Sequence, residues 1–129
     1  MDKHHIFKNY ESFILFLLIH VGSSDYSLKG SEIEVILSKM EDYFPDIEDM
    51  DQLQSKFVSL KDDYEELSDS DINHIIYHNY LQYKNDNINA NRIMNDLQEV
   101  IMADGFIHDM ETKTIEAIKK LLNIRESDY

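Results

Sequence analysis

The chain has 129 residues, 43% of them hydrophobic and 29% charged, which is the size and composition of one folded globular domain, residues 1–129. It contains no cysteine, which excludes disulfides, thiolate catalysis and cysteine-ligated metal centres and suits a reducing cytoplasm, where we expect the protein to work. Its 26 acidic residues outnumber its 12 lysines and arginines to give a net charge of −14, and this sign argues against binding to nucleic acid or to anionic membrane surfaces.

The first predicted helix covers about residues 5–22 and contains the longest apolar run, from Phe13 to Val21, which only His20 interrupts. A transmembrane helix needs about 20 apolar residues, so this run is too short, and we expect no insertion into a membrane. A signal peptide would have a basic start and a small-residue cleavage site, and Asp2 and Glu11 fit that pattern poorly. The apolar stripe is wide, which is typical of a core helix that is buried on most sides.

Five further helices are predicted by apolar side chains that recur with a period close to 3.6 residues. The second ends at Pro45, which lacks the N–H group that a helix needs, and the fourth begins in the stretch 68–71, which is rich in N-cap residue types. Only 3 glycines and 1 proline interrupt the chain, which favours long helices over short strands. The apolar seams consist of Ile33, Ile36, Leu37, Met40 and Phe44; Leu53, Phe57, Leu60, Tyr64 and Leu67; Ile72, Ile75, Ile76, Tyr80 and Tyr83; Ile93, Met94, Leu97, Val100 and Ile101; and, from about Asp109, Ile115, Ile118, Leu121 and Leu122. The predicted fold class is therefore all-α, a compact bundle of about six helices.

The two ends of the chain repeat one another at an offset of 79 positions. The overlay keeps the helix seam, a loop acid, a loop aliphatic residue and a helix-start acid in register, which is the mark of a duplicated unit. We predict two helix–acidic loop–helix units, packed about a pseudo-twofold axis, with two helices inserted between them. The aligned pairs are Ile14 with Ile93, Leu15 with Met94, Leu18 with Leu97, Val21 with Val100, Asp25 with Asp104, Leu28 with Ile107, Glu32 with Glu111, and Ile36 with Ile115.

The second copy of the loop contains an Ala-Asp-Gly motif at residues 103–105, an aliphatic residue two positions later, and Glu111 at the start of the next helix. This pattern resembles the tellurite-resistance TerB family and its relatives attached to DnaJ-like co-chaperones, and the resemblance extends over most of the chain. The first copy departs from it, because Ser24 replaces the alanine and Tyr26 replaces the glycine. A turn that needs positive φ would be strained at Tyr26, so we expect the first loop to have a different shape.

The resemblance implies a non-catalytic binding or scaffold module in a bacterial response to stress, such as tellurite or related toxic anions, phage or envelope damage. It also implies protein partners from the same system, one of them an integral membrane protein, and an acidic face that binds metal. The residues themselves indicate no enzyme, because the chain has neither a nucleophile elbow nor a glycine-rich loop that would cradle phosphate.

Four acids of the repeated units, Asp25, Glu32, Asp104 and Glu111, are the candidate metal ligands. Hard divalent cations prefer several carboxylate oxygens, so two equivalent pairs are suited to calcium, magnesium or manganese, and zinc is a further candidate. The eight residues from Asp104 to Glu111 are too few for the 12-residue loop of an EF-hand. A structural interpretation stays open, in which Glu111 caps its helix and Asp104 with Gly105 ends the preceding one. The domain would then be a metal-free interaction module that uses an apolar groove between helices.

Histidines give a second, weaker indication of metal binding. His74 and His78 are four residues apart and share one face of the fourth helix. No glutamate follows His74 as it would in a zinc protease, and we interpret the pair as part of a solvated polar face. His4 and His5 lie near the start of the chain, where they are candidates only for adventitious metal binding.

Overall fold

Six α-helices make up most of the part of the chain that the computed structural model describes, which is residues 1–23, 30–84, 90–103 and 109–121. The all-α prediction is confirmed, since no strand occurs within those residues. The helices are α1 (Tyr10–Gly22), α2 (Gly30–Tyr43), α3 (Met50–Glu65), α4 (Asp69–Tyr83), α5 (Ala90–Ile101) and α6 (Asp109–Leu121).

Helix α1 is the centre of the bundle. Ten of its 13 residues are buried, including every side chain from Phe13 to Ile19. It contacts each of the other five helices, which confirms the interpretation of the apolar run as a core helix. Helix α1 buries more apolar side chains than any other helix described. Burial of one large aliphatic or aromatic side chain stabilises a fold by about 1.5–3 kcal/mol, so α1 contributes most to this stabilisation.

The predicted start of the first helix at residue 5 is wrong. The apolar period continues back through Ile6, but α1 begins at Tyr10 because the Asn9 side chain accepts a hydrogen bond from the backbone N–H of Ser12, at 2.9 Å. Residues before Asn9 are non-helical, and Ile6 is 41% exposed whereas Phe7 is buried. The local cap therefore overrides the periodicity.

The segment before α1 is fastened to α4 by Asn79, a fully buried residue. Its Oδ1 accepts a hydrogen bond from the Phe7 N–H at 2.9 Å, and its Nδ2 donates to the carbonyl of His5 at 2.9 Å and to that of Ile75 at 2.8 Å. The Tyr83 hydroxyl donates to the Phe7 carbonyl. These bonds satisfy backbone groups that burial of Phe7 removes from water.

A polar cluster joins α2 to α5. Asp96 accepts a hydrogen bond from the Tyr43 hydroxyl, and the Lys39 ammonium lies 3.3 Å from Asp96 and also pairs with Glu99. The Arg92 guanidinium stacks 4.4 Å from the centre of the Tyr43 ring. Burial alone lowers the pKa of Lys39, but hydrogen bonds to Glu99 and Asp96 outweigh it and raise that pKa above its usual value. Lys39 is therefore held in its charged form between the two helices.

The repeat is visible in the burial of the described residues. The two units correspond to α1–α2 and α5–α6, with α3 and α4 between them in the chain. The pairs that the overlay aligns outside the loops are all buried in both copies, with exposures of 5% or less: Ile14 and Ile93, Leu15 and Met94, Leu18 and Leu97, Val21 and Val100, Glu32 and Glu111, and Ile36 and Ile115. Equivalent positions in the two units thus have equivalent environments.

Candidate functional site

Two glutamates occupy equivalent places at the start of α2 and of α6. Glu32 is the third residue of α2, and Glu111 is the third residue of α6. Each is only 1% exposed, and Oε2 of Glu32 and both carboxylate oxygens of Glu111 are shielded from solvent. Both side chains also interact with other groups of the chain. Glu32 and Glu111 therefore lie inside the protein, whereas an exposed acidic face had been predicted.

Burial of these carboxylates goes beyond what a helix cap requires. A carboxylate in the first turn stabilises a helix from an exposed position by about 0.3–1 kcal/mol, and Asp109, in the same turn as Glu111, is indeed exposed. Removing an ionised carboxylate from water costs several kcal/mol unless positive charge or hydrogen-bond donors compensate it. Two such groups at equivalent positions have the chemistry of oxygen ligands for a hard cation.

The other two candidate ligands, Asp25 and Asp104, lie outside the described residues. Their contribution beside Glu32 and Glu111 remains a prediction. Within the residues that are described, no three histidine, cysteine, aspartate or glutamate side chains are placed to hold a metal ion. The four-residue site predicted from the sequence thus depends on both aspartates.

Reasoning from the sequence did not identify two buried polar residues that hold the fold together, Asn79 and Asp96. Asn79 lies three residues after Ile76, and Asp96 lies three residues after Ile93, so each is on the apolar seam of its own helix. A polar side chain on such a seam is the signal that would have found them, since a buried polar group must find a partner.

A cleft of about 260 Å³ lies between α5 and α6. Its walls are formed by Ile101, Met102 and Ile115 together with the polar side chains Gln98, Thr112, Glu116 and Lys119. Met102 is 49% exposed although it is a large apolar residue. The metal-free interpretation, which uses an apolar groove between helices, would place its partner in this cleft.

No helix among the described residues is both long enough and apolar enough to cross a bilayer.

A family model described as "Tellurite resistance protein TerB" matches residues 11–129, which include all six helices except Tyr10 at the start of α1. No curated protein and no solved structure matches the chain.

Proposed function

This chain belongs to the TerB family of tellurite-resistance proteins, and from that premise we propose that it is a non-catalytic binding module of a bacterial stress response, regulated by a divalent cation. The cation binds between the two repeated units, and the loaded domain binds protein partners of the same system in the cytoplasm, including a membrane protein. Direct reduction of tellurite is not part of the proposal, because it would need thiols and the chain has no cysteine.

The observation that supports a cation site is the burial of Glu32 and Glu111 at matching positions, each 1% exposed. Asp109, an acid in the same first turn as Glu111, is by contrast exposed. Asp25 and Asp104 are aligned with one another in the loops that precede the two glutamates. Together the four carboxylates have the oxygen-rich composition that Ca²⁺, Mg²⁺ and Mn²⁺ prefer.

A link between cation and partner follows from where the glutamates lie in the chain. One belongs to each unit, so an ion bound by both would fix α2 relative to α6. A partner that contacts both helices would then bind only when the ion is present.

The test is thermal melting of chelator-treated protein with Ca²⁺, Mg²⁺, Mn²⁺ or Zn²⁺ added singly. An ion that binds only the folded state stabilises it by about 2.7 kcal/mol at a hundredfold excess over its Kd, which raises the Tm by roughly 10 °C for a domain of this size. We expect Glu111→Gln, Glu32→Gln and Asp104→Asn each to abolish most of the rise that Ca²⁺, Mg²⁺ or Mn²⁺ causes. The quantity compared is the rise caused by the ion, so a change in the Tm of the metal-free variant does not affect the result.

Asp62→Asn is the matched control, because Asp62 is an exposed acid on α3, away from the repeated units. It should keep the full cation response. If no ion raises the Tm of the wild-type protein, or if the three variants respond as the wild type does, the cation site is wrong.

The alternative is a metal-free interaction module that uses the cleft between α5 and α6, and the exposed Met102 at that cleft favours it. In this case Met102→Glu would weaken association with protein partners of the system, since it places a charge in an apolar contact. Met50→Glu is the control, because Met50 is also 42% exposed but lies at the start of α3. This alternative is favoured if Met102→Glu weakens partner association both with and without the cation and Met50→Glu does not.

A further inference from the structure

Three histidines from distant parts of the sequence lie together on the outside of α4. His74 and His78 are one helical turn apart, with ring centres 6.2 Å from one another. The ring of His4, 74 positions earlier in the chain than His78, lies 5.7 Å from the ring of His78. The sequence placed His74 and His78 on one helix face and indicated His4 only as an adventitious ligand, and the fold brings His4 to the pair.

The contact of His74 fixes which of its nitrogens is available. Its Nδ1 lies 2.7 Å from the backbone carbonyl of Ser70. A carbonyl oxygen can only accept, so Nδ1 carries the proton and donates, which leaves Nε2 with a free lone pair. A histidine that ligates a metal characteristically has this arrangement, in which the non-ligating N–H donates to a carbonyl.

His4 is held next to α4 by the contacts of its own segment. Its backbone N–H donates to the Asp2 carboxylate at 2.7 Å, and the next N–H, that of His5, donates to the Asp2 carbonyl at 3.1 Å, so residues 2–5 form a turn. The carbonyl of His5 in turn accepts from Asn79, 2.9 Å away. The turn at residues 2–5 and the bond of the His5 carbonyl to Asn79 therefore hold the backbone of His4 beside α4.

We propose that His4, His74 and His78 form a binding site for a borderline divalent transition-metal ion of the Zn²⁺ class. Imidazole nitrogens are preferred by such ions over the hard cations that carboxylates bind, and two histidines at positions i and i+4 of a helix are a known zinc-binding pair. The site is distinct from the buried acids and does not depend on the proposed function.

Metal binding at this site requires rotation of the His4 and His78 rings, while His74 keeps its hydrogen bond to the Ser70 carbonyl. As they stand, no three donor side chains of the described residues are placed to hold an ion. His4 is exposed and His78 is half-buried, and an exposed side chain such as that of His4 changes rotamer within picoseconds to nanoseconds. The bound ion joins the segment before α1 to α4 in addition to the bonds of Asn79, and so it reinforces the attachment of residues 4–7.

The experiment is a titration of the full chain with Zn²⁺, in the presence of millimolar Mg²⁺ and Ca²⁺ that occupy any oxygen-ligand site. Binding is followed by calorimetry and by ¹H–¹⁵N spectra of the histidine rings. We expect one ion per chain, with the ring signals of His4, His74 and His78 shifted. His4→Gln, His74→Gln and His78→Gln should each raise the Kd by at least about tenfold, the loss expected for one missing ligand interaction of about 1.4 kcal/mol.

His5→Gln is the matched control. Its side chain packs edge-on against the Phe7 ring, with ring centres 4.8 Å apart, and is not part of the cluster. It should leave the Kd within about twofold of the wild type, and Zn²⁺ should slow amide hydrogen exchange at Phe7. An absence of Zn²⁺ binding, a Kd unchanged by His4→Gln, or an equal loss in the His5→Gln variant would overturn the proposal.

The outcome is separable from that of the buried acids. Glu111→Gln should leave Zn²⁺ binding at the histidines intact, and His78→Gln should leave the response to Ca²⁺ or Mg²⁺ intact. Either proposal can therefore fail without the other.

Discussion

At the scale of single residues, His20 shows how strongly burial in the bundle shifts the pKa of an ionisable side chain. Its Nδ1 lies 2.9 Å from the Tyr64 hydroxyl, and the two ring centres are 5.8 Å apart. Burial lowers the pKa of His20 to about 4, and the charge of Asp69 only partly opposes this effect. Burial also raises the pKa of Tyr64 to about 12. Both groups are therefore neutral in the folded protein at neutral pH.

This lowered pKa predicts how stability depends on pH. Above about pH 6.5 the imidazole is neutral in both states, and its full contribution to stability is present; as the pH falls below that value the unfolded chain binds a proton that the folded protein does not. Between about pH 6.5 and about pH 5 the free energy of unfolding should fall by about 1–2 kcal/mol from this residue alone. Urea unfolding of the wild type and of His20→Gln at both pH values measures the difference.

Comparing the wild type with His20→Gln separates the pH effect of His20 from that of the acidic residues, because those residues titrate in both proteins. We expect the loss of stability on acidification to be smaller in His20→Gln than in the wild type. Equal losses in the two proteins would show that His20 takes up its proton as readily in the folded state as in the unfolded chain.

At the scale of helices and segments, α4 has a second role as the support for residues 4–7. This segment is non-helical, yet it is ordered by hydrogen bonds from two side chains of α4, Asn79 and Tyr83. The side-chain amide of Asn79 bonds one backbone N–H and one backbone carbonyl of this segment, as the backbone of a neighbouring strand would.

Asn79→Ala should release this segment. The change leaves the Phe7 N–H and the His5 carbonyl without their partner, and each buried polar group that loses its bond costs about 1–3 kcal/mol. We expect the free energy of unfolding to fall by about 2–4 kcal/mol, as measured with urea, and hydrogen exchange at Phe7 to accelerate strongly.

Asn73→Ala is the control, because Asn73 is exposed on the same helix. It should change stability by less than about 0.5 kcal/mol. Slow exchange at Phe7 in the Asn79→Ala variant would show that the burial of the Phe7 ring, rather than the hydrogen bonds, holds the segment.

Sequence periodicity predicted the helices well where caps and apolar seams agreed. Pro45 follows the end of α2, and Ser68 caps α4 by accepting from the Asp71 N–H at 3.1 Å. The start of α1 was misplaced because Ile6 continues the apolar period beyond the Asn9 cap. The attachment of residues 4–7 was beyond prediction, because it depends on contacts between residues 72 to 76 positions apart.

The metal site itself stays a prediction, but the sequence did predict that two of its residues are equivalent. The overlay of the two halves identified Glu32 and Glu111 as equivalent, and their burial is equal. That both would lie inside the protein was not predicted, since a first-turn glutamate is ordinarily an exposed helix cap. The approach of His4 to His78 was likewise unpredictable, because no local pattern relates the two.

At the scale of the whole molecule, the charge of −14 is the dominant electrostatic feature. Acids outnumber lysines and arginines by 26 to 12, and the ion pairs among the described residues include Lys61 with Glu65 at 2.6 Å and Lys119 with Glu116 at 3.2 Å. Pairs of this kind on the surface stabilise a fold by about 0–1 kcal/mol each, so they offset little of the repulsion among the remaining carboxylates.

Monovalent salt should therefore raise the Tm. An increase from about 0.01 M to about 0.15 M shortens the Debye length from about 30 Å to about 8 Å and screens repulsion between surface carboxylates. We expect a steady rise of the melting temperature with NaCl, measured by circular dichroism.

Choline chloride serves as the comparison salt, because its bulky cation screens charge but does not fit a carboxylate site. The two salts should act alike. A Tm that falls with either salt would show that attraction within ion pairs outweighs the net repulsion.

Helix α1 is translated before the five helices that cover it, and this order bears on how the protein is made. Because α1 contacts α5 and α6 as well as the helices before them, its burial is complete only when residues 90–121 have left the ribosome. Until then the nascent chain exposes its most apolar segment, and exposed segments of this kind aggregate or are bound by chaperones. We expect the domain to fold in one step after α6 has emerged, so that a transcript truncated within α5 would yield an insoluble product.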